Sequence, residues 1–500
     1  MKMVAEAMEL RRELPVVIGN VDYQEFQGRL EHIDDVLRTS GLETDFVQQG
    51  LKRYEERSER EAEQRGERYC ALGGRDRARV QKMFRQALRC NLARWLTEKE
   101  YRAFSRRLAE SVLLQWFCQI ERIDAVQVPS KSTLERYDKL VPESDVRELI
   151  NRLNQLAAGG KVGLEEKLGL EAYFSDATCV KAAIHFPVDW VLLRDGVRTL
   201  MKAVLVIRRH GLKRRMPEPE GFLRQINRLA MEMTQSRRRP DSRKKRKQVL
   251  RKMKRLSRVV MAHAQRYRQA LVQGWPQTDL KEGDVRQILK RIDAILAQLP
   301  AAIRQAHERI IGERKVANAD KLLSLYEREL HVIVRGKADA EVEFGNTLWL
   351  GEQSEGLIID WKLLRDQSPG DTKLFRESME RIQRVFARYP QSAAGDRGLW
   401  SLGNERWLER VGVYSALCPR SVAQLRERMQ EPRFSVLQKR RAQTEGRIGI
   451  LKNAFLGRPL RSKGFEHREL AVAWAVLAHN LWLLAGLCAD QEQEQKKKAA

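Results

Sequence analysis

Cysteine is scarce and scattered in this sequence, with six in 500 residues (Cys70, Cys90, Cys118, Cys179, Cys418, Cys488) and no C-x-x-C pair or nearby histidine array. This spacing excludes a zinc ribbon or disulfide framework and predicts reduced core thiols. The N-terminus mixes charges early and lacks an apolar run with a cleavage site, so no secretory signal is expected. One apolar window, from Ala471 to Ala489, barely reaches the length of a membrane span. His479 and Asn480 fall at its middle, and a buried helix in a soluble, cytoplasmic protein is expected instead. No internal repeat is present. Acidic residues are in deficit: 67 Asp and Glu face 94 Lys and Arg, a net charge of +27 with a pI near 10. Such a balance does not select a fold, but it predicts attraction to a polyanion, nucleic acid first and an anionic membrane surface second. With 42% hydrophobic residues, there is material for two to four domains and a full core.

Up to about residue 165 the pattern is helical, with long charged stretches, few prolines and apolar residues at helical spacing, as in Val112, Leu113, Trp116 and Phe117. Within it, Pro129-Ser130-Lys131-Ser132-Thr133 reads as a turn followed by a capped helix. Hydroxyls and Lys131 at a helix start suit a phosphate contact of a small DNA-binding module as well as a simple N-cap. At Tyr173 to Val180 the character changes to an aromatic and β-branched run, a buried strand interrupted by Asp176. An acid there is costly unless paired or metal-bound.

A helix is expected from Asp189 to His210, stopped by Gly211. The most basic stretch follows, thirteen cations from Arg237 to Arg258 that include Arg243, Lys244, Lys245 and Arg246, opposed only by Asp241. A solvated charge run is one reading; neutralisation of several phosphates with steep salt dependence is the other. A heptad-like packing helix should then run from Val285 and end at Pro300. Strands return at Leu330–Arg335, Asn346–Gly351 and Leu357–Leu363, with a helix over Thr372–Arg388 and a further strand at Gly412–Leu417.

Two acids complete the set. Asp396 stands between Gly395 and Gly398, small residues that leave its carboxylate open to a large substrate. On a late helix, Arg441, Glu445 and Lys452 are spaced by four and seven, which places them on one stripe. An ion-paired helix face has the same look. So does a site where an acid holds a cation while basic neighbours grip phosphate. Asp176, Asp396 and Glu445 come from separate elements of an α/β pattern and, if they converge, offer oxygen ligands to hard divalent ions. Asp360, ending an equally apolar strand, is the rival second ligand; Asp189 and Asp195 read as helix-start acids and His185 as a loop residue.

Over roughly residues 110 to 485 the chain resembles the bacterial insertion-sequence transposases with an RNase H-like DDE catalytic domain. The likeness rests on Tyr173-Phe-Ser-Asp176-Ala-Thr, His185-Phe-Pro-Val-Asp189-Trp, Val342-Glu-Phe-Gly345, Gly356-Leu-Ile-Ile-Asp360, Ala394-Gly-Asp396-Arg-Gly398, the Glu445 helix and His479-Asn-Leu481. It implies that Asp176, Asp396 and Glu445 are the catalytic, metal-binding triad, with two Mg2+ ions that Mn2+ can replace. Arg441, Glu445 and Lys452 fit the last three places of the family's Tyr-x2-Arg-x3-Glu-x6-Lys signature; Gln438 stands in the Tyr place.

The resemblance implies DNA as partner, both the terminal inverted repeats and the target, and a homo-oligomer on paired ends. Arg441 and Lys452 would grip phosphate, with Arg397, Lys131 and residues 243–246 as further DNA contacts. Of the residues between the acids, 219 lie between Asp176 and Asp396 and 48 between Asp396 and Glu445, so an insertion belongs before the second acid. The expected organisation is a helical, DNA-binding region over 1–165, the catalytic domain in two parts over 166–196 and 340–490, a basic helical insertion over 197–339, and a disordered tail over 491–500. A nuclease of the same fold without strand transfer and a non-catalytic DNA-binding protein are the alternatives.

Overall fold

A computed structural model describes residues 13–14, 16–120, 125–236, 241–337 and 340–499. Arg237, Arg238 and Arg239 of the basic run lie outside the described residues. Seven helices come first: α1 (Val21–Thr39), α2 (Leu42–Arg65), α3 (Gly74–Leu96), α4 (Tyr101–Glu110), α5 (Val112–Cys118), α6 (Lys131–Asp138) and α7 (Glu143–Ala158). Polar side chains start several of them: Asn20 accepts from the Tyr23 amide, Ser111 from Leu114 and Ser130 from Thr133. In their core lies the fully buried Arg89. Its Nε donates to Glu43 Oε1 at 2.5 Å, and its Nη1 to Asp34 Oδ1 at 2.6 Å and the Phe117 carbonyl at 2.9 Å.

The chain then forms a six-stranded mixed sheet, and the protein is a mixed α/β structure with many helices. Central to it is β1 (Tyr173–Lys181). β2 (His331–Lys337) and β4 (Ile358–Leu363) both pair with the far edge of β3 (Ala340–Gln353), which is itself antiparallel to β1. On the other side β5 (Ser392–Gly395) runs parallel to β1, and β6 (Tyr414–Leu417) parallel to β5. Glycine is required at Gly351, because a Cβ there would run into the Tyr173 ring and hydroxyl.

Between β1 and β2 stand four helices, α8 (Asp189–Arg209), α9 (Pro219–Gln235), α10 (Ser242–Gly274) and α11 (Glu282–Ala306). They close around a core of their own that runs from Trp190 to Leu325. α11 does not end at Pro300, as the sequence suggests, but continues to Ala306. Proline inside a helix costs about 3 kcal/mol. Burial of Val285, Ile292, Ile295, Leu299, Ala302 and Ile303 on one face offsets it.

The remaining helices are α12 (Asp371–Phe386), α13 (Leu402–Arg410), α14 (Val422–Arg428), α15 (Pro432–Ile450) and α16 (Phe465–Ala499). α16 is long and apolar enough to cross a membrane, yet 78% of its apolar window is buried inside the protein. Trp474 packs edge-on to Phe46 and Trp482 against Phe26, so α16 shares one core with α1–α7 and the sheet. Asn480 ties it to β4, accepting from the Ile358 amide at 3.0 Å and donating to the Ile358 carbonyl at 2.9 Å. The Lys-rich segment after Gln491, where composition suggests fraying, continues this helix.

Candidate active site

Asp176 is at the middle of β1, and Asp396 directly follows β5. The parallel register pairs Phe174 with Ala394. Asp176 and Asp396 each follow two residues after this last paired position, and Asp176 senses the charge of Asp396. The Asp396 carboxylate is fixed by the turn that follows, its Oδ1 accepting from the amides of Gly398 at 2.8 Å and Leu399 at 3.3 Å. Gly398 leaves room for it: a Cβ there would press on the carboxylates of Asp396 and Asp371 at 3.1 and 3.2 Å.

Glu445 comes from α15, which packs across β1, β5 and β6. Contacts of four α15 residues set its position. Gln438 Nε2 donates to the carbonyls of Gly395 (3.2 Å) and Ala416 (2.5 Å), at the ends of β5 and β6. Arg440 lies over the Phe174 ring at 4.6 Å and donates to Glu352 Oε1 at 3.0 Å. Thr444 donates to the same oxygen at 2.8 Å, and Arg447 pairs with the other at 3.3 Å. Glu352, buried on β3, thus clamps one stripe of α15 and leaves Glu445, next to Thr444, exposed.

Asp176 senses the charges of Asp396, Glu445 and Arg441. Burial pushes the Asp176 carboxyl up from the ordinary 3.8 to about 6, and the charges of Asp396 and Glu445 add to the rise; the Ala177 amide and Arg441 oppose it. Among the described residues none of the three acids forms an ion pair, in a protein with 27 more basic than acidic groups. The competing acids are neutralised. Asp360 is bonded by Arg381 at 2.8 and 2.6 Å and by Ser378. Asp189 is held by Arg309 at 2.9 Å to each oxygen and by Gln305 at 2.9 Å. Asp195 pairs with Arg194 at 3.0 Å.

Three unpaired carboxylates form an oxygen-only donor set that suits a hard divalent ion. Among the described residues, however, no three His, Cys, Asp or Glu side chains are gathered tightly enough to form a metal-holding group.

The other residues singled out in the sequence have separate surroundings. Lys452 is buried, its ammonium 2.9 Å from Thr178 Oγ1, on the face of β1 that carries Asp176. It therefore leaves the solvent-facing stripe of Glu445: at Leu451 the helix widens to π-type hydrogen bonding, which shifts the frame of the residues that follow. Arg397 is exposed beside Asp396. Lys131 is remote from the carboxylates in chain and fold, on α6, and pairs with Glu135 at 2.5 Å. Arg243, Lys244, Lys245 and Arg246 open α10; Arg243 and Arg246 line a basic cleft of about 1050 Å3 with Arg309, Arg314 and Lys315. The clamp on Glu352 went unnoticed in the sequence. Arg440, Thr444 and Arg447 do show helical spacing, but their partner lies 88 residues from Arg440.

Asp176→Asn is expected to make the metal-free protein more stable at pH 8, by about 1–3 kcal/mol. The native carboxyl keeps its proton up to about pH 6, whereas an unfolded one loses it near 3.9. Wild-type stability therefore falls as pH rises through that window, and the amide carries no such cost. Urea midpoints at pH 8 and below pH 4 check this: the gap should close in acid, and no gap at pH 8 would contradict the burial of this charge.

Residues 352–481 match the family described as the transposase DDE domain, a stretch that includes Asp396, the whole of α15 and Asn480 and leaves out Asp176. No curated protein and no solved structure matches the chain.

Proposed function

We propose that this chain, whose residues 352–481 match the transposase DDE domain family, is a DDE transposase that cuts DNA at the ends of its own element and joins them to a target, using Asp176, Asp396 and Glu445 on an RNase H-like sheet. The observation that supports the assignment is the parallel β1–β5 pairing just before Asp176 and Asp396, together with the charges of Asp396 and Glu445 acting on Asp176. The strand order, with β3, β1, β5 and β6 as neighbours, supports an RNase H-like topology.

The three carboxylates would hold two Mg2+ ions, with Mn2+ able to substitute. Such ions lower the pKa of an attacking water and neutralise the leaving oxygen of an in-line displacement. Arg441 and Arg397, beside the acids, are placed to bind the phosphate being attacked; the buried ammonium of Lys452 holds Thr178 and offers positive charge from below. In the first step water replaces the 3′-oxygen at phosphorus, leaving a 3′-hydroxyl on the element and a 5′-phosphate on the flank. In the second that hydroxyl attacks a target phosphodiester and a target 3′-oxygen leaves, so one P–O bond forms for each broken.

DNA contacts from Arg243, Lys244, Lys245, Arg246 and Lys131, and action as a homo-oligomer on paired ends in the cytoplasm, complete the proposal. It is tested with full-length protein, Mg2+ and DNA carrying the repeats that flank its gene. Scission at the repeats together with joining of pre-cut ends is expected. Scission without joining would make the protein a nuclease, and no scission with either Mg2+ or Mn2+ would leave a DNA-binding protein only.

A further inference from the structure

Beyond the carboxylates, β1 leads into a groove of about 450 Å3 between the 183–188 segment, α8 and the 323–327 segment. Its walls combine two kinds of side chain. Phe186 and Tyr326 are 72% and 56% exposed, unusual for aromatic rings. Both are held in place: Phe186 packs edge-on to Phe344 with centroids 5.5 Å apart, and the Tyr326 hydroxyl bonds to Thr199 Oγ1 at 2.6 Å. The second kind is cationic. Arg194, Arg198 and Lys202 follow one another at intervals of four on α8, and Lys463 stands on the opposite wall.

Both acids of the groove are already neutralised, Asp195 by Arg194 and Glu327 by Arg468. Arg198, Lys202 and Lys463 form no ion pair among the described residues. Like charges four apart on a helix repel, so the unpaired Arg198 and Lys202 of this stripe work against the fold and call for an anion. Its members are about 6 Å apart along the axis, comparable to the spacing of successive phosphates in an extended strand. Fixed aromatic faces beside a row of cations are the means by which proteins hold unpaired nucleotides.

We propose that this groove binds a single-stranded stretch of DNA, with phosphates along Arg194, Arg198 and Lys202 and bases on Phe186 and Tyr326. The inference rests on the reading of this chain as acting on DNA. The groove adjoins the end of β1, the strand that carries Asp176: the loop bearing Lys463 is stitched to it, the Leu460 amide donating to the Lys181 carbonyl at 2.9 Å and the Ala183 amide to the Leu460 carbonyl at 3.3 Å.

The test is fluorescence anisotropy of the full-length protein with labelled oligo-dT and with a duplex of equal length. The double variant Phe186→Ala, Tyr326→Ala should lose at least about tenfold in affinity for oligo-dT and hold the duplex within about twofold. Arg198→Gln with Lys202→Gln should weaken oligo-dT binding and flatten its salt dependence, a readout that does not touch the aromatic packing. Oligo-dT affinity unchanged in both variants, or equal loss for oligo-dT and duplex in the aromatic variant, overturns the proposal. If the wild type binds duplex but not oligo-dT, this inference fails and the transposase reading stands; if it binds neither, the reading of the chain as acting on DNA fails too.

Discussion

Asp396→Asn is expected to lower metal-dependent strand cleavage by more than about a hundredfold, because even the outer-shell partners of metal ligands are worth roughly 10–100-fold. Duplex binding should stay within about twofold, since one neutralised carboxylate is a small change against a net charge of +27. The substitution preserves shape. An asparagine oxygen still accepts from the amides of Gly398 and Leu399, which in the native protein donate to Asp396 Oδ1, so the turn should keep its geometry and only the charge is lost. Cleavage of end-containing DNA in Mg2+, measured beside binding of the same DNA, is the check. Wild-type cleavage by this variant would remove Asp396 from the site and return attention to the ion-paired Asp360.

The largest loss of stability is expected from Arg89→Met, about 3–5 kcal/mol at neutral pH. Arg89 is fully buried, and although burial works against its charge, the carboxylates of Glu43 and Asp34 outweigh it and raise its pKa. Methionine of similar volume fills the space but leaves two buried acids without their main counter-charge. In the variant those acids should take up protons, so the deficit is full at neutral pH and shrinks as pH falls towards 4. Urea midpoints at pH 7.5 and 4.5 measure both terms. A deficit that does not depend on pH would mean lost packing rather than stranded charge.

What the sequence made legible is local. Asp176 interrupting an apolar strand, Asp396 in a glycine-flanked turn and Glu445 between basic residues on a helix each have a signature within about ten residues, and the structure puts them on β1, after β5 and on α15. What stayed hidden depends on partners far along the chain. Pro300 reads as a helix end because the apolar face that offsets it is satisfied by α8 and α10. Lys452 reads as one of a solvent-facing stripe because helical spacing does not anticipate the widened turn at Leu451. Asp360 rivals Asp396 until Arg381, on another element, is seen to neutralise it. The grouping of α16 with α1–α7 is equally invisible, since Phe46 and Trp474 are 428 residues apart.

That last pairing has a bearing on how the protein is made. During translation α1–α7 leave the ribosome hundreds of residues before the helix that completes their core, and Asp176 likewise precedes both of its companions. A polypeptide terminated before α15 would hold neither a finished N-terminal bundle nor all three of Asp176, Asp396 and Glu445.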